Sequence, residues 1–233
     1  MKEIIRVARW RVGKKIGSRS MMEKVAPHYY QYAKERIACD CSKCKCPAQS
    51  ACSYSFVYID ERSKLMYFDV PKAASTTIRK AFFKNKAMAS LRNPRKELDQ
   101  YYKFTFVRNP WDRMVSNWKM FTTQPSRMKQ LEVMTNADLS DFESFVSFAI
   151  DCPNHHWQPQ ALFTPEPLDF VGKLESFDED MNRLLSHLGR TPLALGKQNS
   201  TRRKGYRDYY SPTLVEVVAD YYRRDIESFG YEF

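Results

Sequence analysis

The sequence predicts an α/β domain with a central parallel sheet flanked by helices. Two observations carry the prediction. Apolar, aromatic-rich runs at Tyr67–Val70 and Tyr102–Val107 read as buried strands. Each is followed by a helical pattern, the alternation that builds a parallel sheet. The 233 residues are enough for one sizeable core. Ligands of such sheets bind at the C-terminal ends of the strands, so the loops leaving these two runs are where chemistry is expected.

The first run stops at Pro71-Lys72 and passes through Ala73, Ala74, Ser75, Thr76 and Thr77. It then enters a helix marked by Ile78, Ala81 and Phe82. A strand ending in a small-residue loop before a helix N-terminus is an anion cradle, with unpaired N–H groups and the positive end of the dipole. Lys72 adds a charge and the three hydroxyls add donors. The loop has no Gly and its Lys comes first, so it is not a Walker A motif. The plainer alternative is a strand-to-helix turn capped by Ser75 or Thr76.

The second run leads into Arg108-Asn109-Pro110-Trp111-Asp112-Arg113. Pro110 fits the first turn of a helix, which places Arg108 at the strand's end and Ser116 about two turns into the helix. An Arg fork and a Ser hydroxyl can share one phosphate. The alternative for Arg108 is an ion pair with Asp112.

These two loops, in this order, resemble the 5′-phosphosulfate and 3′-phosphate motifs of sulfotransferases that use 3′-phosphoadenosine-5′-phosphosulfate (PAPS). The resemblance covers about Phe56 to Phe233. His156-Trp157-Gln158-Pro159-Gln160 and Asp169-Phe170-Val171-Gly172-Lys173-Leu174-Glu175 are similar to segments of the Golgi carbohydrate sulfotransferases. Those enzymes sulfate N-acetylgalactosamine in chondroitin or dermatan. Tyr221–Tyr231 resembles that family's C-terminal helix. Arg202-Arg203-Lys204-Gly205-Tyr206 resembles the late basic loop that closes over the 3′-phosphate.

The resemblance implies a single P-loop-NTPase-like sulfotransferase domain, PAPS as co-substrate, a carbohydrate acceptor and no required metal. Lys72, Ala73, Ala74, Ser75, Thr76 and Thr77 would hold the 5′ end. Arg108, Ser116, Arg203, Lys204 and Gly205 would hold the 3′-phosphate. Sulfuryl transfer needs positioning and charge neutralisation, and Lys72 is expected at the leaving oxygen. The acceptor hydroxyl also needs a base, for which His suits neutral pH. Of His28, His155, His156 and His187, His156 matches the family segment, and His187 reads as a helix-surface residue. Some carbohydrate sulfotransferases place this His between the phosphate loops, where residues 78–107 have none. Glu97, Asp99 and Glu175 are therefore alternatives, as is a hydrogen-bonded loop role for His156. Trp111, Trp118 and Trp157 are read as sugar-stacking faces or core. Tyr206, Tyr209 and Tyr210 are read as stacking groups or as packing for the terminal helix.

The net charge of +11 is concentrated at one end. Residues 1–50 hold twelve Lys and Arg against four Asp and Glu. This sets a basic, Cys-rich extension (1–52) apart from a sulfotransferase domain (53–233). No zinc-finger, RNP or helix-turn-helix signature supports nucleic acid as a partner. Ile4, Ile5, Ala8, Val12 and Ile16 share one helical face, with Arg6, Arg9, Lys14 and Lys15 elsewhere. That pattern suits a basic surface helix or a peripheral membrane contact. With no bilayer-length apolar run or signal-peptide core, a soluble or peripheral protein is expected: cytoplasmic in a microbe, Golgi-luminal in a eukaryote. Cys39, Cys41, Cys44, Cys46 and Cys52 fit zinc templates poorly and are compatible with metal, disulfide or free thiols, whereas Cys152 reads as a buried or free thiol. A nucleotide-dependent kinase of related fold and a non-catalytic polyanion-binding protein are the competing functions.

Overall fold

The computed structural model describes residues 57–84, 100–152, 154–164, 167–192 and 205–233. The N-terminal extension and its boundary, the Cys39–Cys52 cluster, His28, Glu97, Asp99, Arg203 and Lys204 lie outside the described residues.

Four strands form one sheet in sequence order: β1 Val57–Asp60, β2 Leu65–Phe68, β3 Tyr102–Val107 and β4 Phe170–Lys173. β2, β3 and β4 are parallel, with Phe68 opposite Thr105 and Val107 opposite Lys173. β1 pairs antiparallel with β2 at the edge. The expected parallel sheet is therefore present with one antiparallel addition, joined by a short turn at Glu61–Lys64. Every residue of β2 is buried, as a strand covered on both faces requires.

Strand alternation splits the core. Tyr58, Leu65, Tyr67, Phe104, Phe106 and Phe170 face one way. Helix α1 (Ser75–Phe82) covers them with Ile78 and Phe82, and α5 (Phe177–His187) does so with Met181, Leu184 and Leu185. Ala81, predicted on the buried face of α1, is exposed. On the other face Val107 joins a larger cluster. It is built from α2 (Pro110–Thr123), α3 (Pro125–Met134), α4 (Phe142–Asp151) and α6 (Pro212–Tyr221).

The Tyr221–Tyr231 segment, expected to be helical, holds α7 (Arg223–Phe229), which a break separates from α6. The break falls at Tyr222, whose buried ring sends its hydroxyl to the Trp157 carbonyl. Asp225 is then drawn onto the N–H groups of Gln160 and Ala161, at 2.8 and 2.9 Å. No helix among the described residues is long and apolar enough to cross a membrane.

Candidate active site

Strand β2 ends at Phe68, and Asp69–Ala74 lead into α1. Lys72 and Ala74 both have positive φ, 73° and 63°. That conformation costs a residue with a Cβ roughly 1–2 kcal/mol, and it curls successive N–H groups into a nest suited to anions. Ala73 N–H and Ser75 Oγ both donate to the Val70 carbonyl, at 3.2 and 3.0 Å. No side chain caps α1, so the helix start presents backbone donors to the cleft. The predicted cap by Ser75 or Thr76 is not found. Ser75 spends its one hydroxyl proton on closing the loop. Ala73 is buried against Val70 and Phe163 and offers backbone alone. Thr76 is exposed and Thr77 half-buried.

Arg108 stands just beyond β3, as predicted. Its Nε and Nη2 donate to Asp112 Oδ2 at 2.8 and 2.7 Å, and Nη1 donates to the Lys72 carbonyl at 3.2 Å. The ion pair named as the alternative for Arg108 is therefore present, and the same guanidinium ties the two loops together. Ser116 follows one turn beyond Asp112, and both are half-buried on a helix whose other positions are mostly buried. The same face carries Met120, whose Sδ lies 3.5 Å from Lys72 Nζ. Gly205 is exposed and opens a 3-10 turn, Tyr206–Tyr209, that packs on α2. Burial is the first cause pushing the Tyr206 phenol up. The nearby Asp112 and Glu175 carboxylates add to it, against Arg207.

His156 packs its ring edge-on to Phe121 and beside His155. Both ring nitrogens are buried without a hydrogen-bond partner. Burial, then the charges of His155, Arg127, Lys72 and Arg113, lower its pKa from 6.5 to about 2. The imidazole is thus neutral at physiological pH and sits within the field of Lys72. Of the alternatives, Glu175 is engaged: its carboxylate accepts Asn109 N–H at 2.6 Å and Tyr231 O–H at 3.1 Å. His187 is exposed at the end of α5, near the Tyr102 hydroxyl.

The three tryptophans read as sugar faces are buried. Trp157 lies among Phe121, Phe145 and Phe148 and donates Nε1 to the carbonyls of Ala149 and Cys152. Tyr206 and Tyr210 pack on Phe233, and Tyr209 on Trp118. All three pack on aromatic neighbours, though on Phe233 beyond the terminal helix and on Trp118 of α2 rather than on that helix itself. Cys152 is a half-buried free thiol, and burial followed by the Asp151 charge raises its pKa to about 12.

Four residues that sequence reasoning passed over hold the loops in place. Gln160 clamps Arg108 by both backbone groups, accepting its N–H at 2.9 Å and donating to its carbonyl at 2.7 Å. Asp225 in turn fixes Gln160. Arg113 is fully buried and donates to the carbonyls of Pro71, Gln158 and His156 at 3.0, 2.8 and 2.9 Å. Asn117 also donates to the His156 carbonyl, at 2.9 Å. The available signal was two polar residues, Arg113 and Asn117, on the apolar stripe of α2. No cluster of His, Cys, Asp and Glu suited to a metal ion occurs among the described residues.

Residues 56–232 match the model of a family described as the sulfotransferase family. Carbohydrate sulfotransferase 9 of Homo sapiens is 22% identical over 235 residues, covering 76% of this chain and 53% of the relative. Carbohydrate sulfotransferase 11 of Mus musculus is 27% identical over 183 residues, covering 56% of this chain and 52% of the relative. The chain thus spans about half the length of the curated relatives it matches. No solved structure matches at a significant level.

Proposed function

The chain belongs to the sulfotransferase family, and from that premise we propose that it transfers a sulfuryl group from PAPS to a carbohydrate hydroxyl by in-line displacement. One observation carries this reading. The uncapped nest at the end of β2 and the arginine at the end of β3 meet at the Lys72 carbonyl, so two anion-binding elements lie side by side. The donor supplies the activated sulfuryl group and a nucleotide leaving group bearing phosphates at its 5′ and 3′ positions.

In this reading the N–H groups of the nest and the start of α1 receive the 5′ end. Lys72 donates to the bridging oxygen that gains charge as the sulfur–oxygen bond breaks. Arg108, oriented by Asp112, and Ser116 receive the 3′-phosphate, with Arg203, Lys204 and Gly205 closing over it. His156 takes the proton from the acceptor hydroxyl as that oxygen bonds sulfur. An imidazole that is neutral and unpartnered can accept one. Burial is the first cause of its low basicity, and the negative charge of a bound donor beside Lys72 would offset the smaller contribution of the neighbouring cations.

The test is thermal stabilisation by 3′-phosphoadenosine-5′-phosphate, with ADP and ATP–Mg²⁺ as controls. A ligand specific for the folded state at 100-fold over its Kd adds about 2.7 kcal/mol. Stabilisation by the 3′-phosphorylated nucleotide without metal, lost in Lys72→Ala and Arg108→Ala proteins of native circular dichroism, is the expected result. A response confined to ATP–Mg²⁺ would overturn the reading in favour of a kinase.

A further inference from the structure

Arg113 has no contact with the open cleft. It lies on the inward face of α2 and is fully buried. Its guanidinium donates to three carbonyls on two separate segments: Pro71, immediately before Lys72, and His156 and Gln158 in the histidine loop. Asn117, one turn along the same helix, donates to the His156 carbonyl as well. None of these acceptors is a carboxylate. Asp225 is near enough to feel the charge of Arg113, but its oxygens accept from the N–H groups of Gln160 and Ala161.

A buried guanidinium is an expensive way to fill a core. Apolar replacements of buried ionic groups are often neutral or stabilising, and desolvating a charge is costly. What an aliphatic side chain cannot do is fix two loops against each other. The planar fork does so with three bonds of set direction, whereas a lysine at this position presents a single point.

We propose that Arg113 is a positioning residue for sulfuryl transfer, locking the loop that carries Lys72 to the loop that carries His156. This rests on the roles assigned above to those two residues. The donor-binding lysine and the proton-accepting imidazole are then held in fixed relation because one buried side chain grips the backbone next to each.

The experiment compares the full-length wild type with Arg113→Lys and Asn117→Ala. The probe is 3′-phosphoadenosine-5′-phosphate, its affinity is measured by calorimetry, and the His156 imidazole resonances are followed by NMR with and without it. In the wild type, nucleotide binding should move the His156 resonances. In Arg113→Lys, affinity should stay within about threefold, because the nest, Lys72 and Arg108 remain, while the response at His156 is lost. Asn117→Ala, which keeps all three arginine bonds, should bind normally with a reduced response. If Arg113→Lys does not fold, Arg113→Gln, which keeps a planar amide donor at the same place on the helix, supplies the test. An undiminished His156 response in the folded variants would overturn the positioning role and leave the donor site standing. Absence of binding by the wild type would instead overturn the sulfotransferase reading and this inference with it.

Discussion

A buried neutral histidine should make this protein acid-labile well above the carboxylate range. The His156 pKa is lowered from 6.5 to about 2 by burial first, then by His155, Arg127, Lys72 and Arg113. Between those two values the unfolded chain binds a proton at this residue and the folded one does not. Stability therefore rises with pH through this window and falls as pH drops below about 6.5, by ~1.4 kcal/mol per pH unit. Between pH 8 and pH 5 the loss from this one group is about 2 kcal/mol. Urea unfolding of wild type and His156→Phe at pH 5, 6, 7 and 8 isolates it. The ring packs on Phe121 and neither nitrogen is partnered, so phenylalanine should be tolerated at pH 8. Subtracting the variant's pH profile removes other titrating groups. These include Asp69 and Asp225, whose burial-raised pKa values act with the opposite sign. The same pH dependence in both proteins would refute the reasoning. It would mean that the imidazole is hydrated and titrates normally.

Other substitutions test the scaffold. A Cβ at Gly172 would lie 2.4 Å from Phe106 Cε1, so Gly172→Ala should cost about 1–3 kcal/mol in chemical denaturation. Gln160→Leu leaves the Arg108 N–H and carbonyl without the Gln160 side chain. It should cost about 2 kcal/mol or more and weaken binding of 3′-phosphoadenosine-5′-phosphate in calorimetry. Ala74→Gly relieves the positive φ at the cost of chain entropy. The two effects nearly cancel, so the melting temperature should correspond to a change of about 0–1 kcal/mol in favour of glycine.

The sheet was legible because its strands announce themselves locally. Tyr67–Val70 and Tyr102–Val107 are apolar runs that end at polar loops, although β2 lies two residues earlier than its run, at Leu65–Phe68, and Pro110 marks the start of α2. The anion loops were legible for the same reason, since a strand-end loop and the helix after it are contiguous in the chain. Neither the antiparallel edge strand β1 nor β4 was anticipated. Nor was α6, or the break at Tyr222 that separates it from α7. Its cause is the pull of Trp157, Gln160 and Ala161 on Tyr222 and Asp225, contacts between segments far apart in sequence that no local pattern encodes.

The His-Trp-Gln-Pro-Gln segment shows how a family motif can conceal its own physics. As sequence it draws attention to His156 and to a tryptophan face. In the structure, Trp157 is core, Gln160 holds the backbone of Arg108, and the carbonyls of His156 and Gln158 receive Arg113. The two ring nitrogens of His156 have no hydrogen-bond partner. A backbone carbonyl carries no sequence signature, so the carbonyl of His156 could not be recognised in advance as the partner of Arg113. The same holds for β4 and the turn after it: Gly172 is small because Phe106 lies against it, and Glu175 braces the start of α2 through Asn109. Gln160, Asp225, Arg113 and Asn117, none of them read from the sequence as a candidate catalytic group, form the frame that fixes the backbone beside Lys72, Arg108 and His156. Substitutions in that frame should therefore alter nucleotide binding at a distance, through the backbone of the two anion loops.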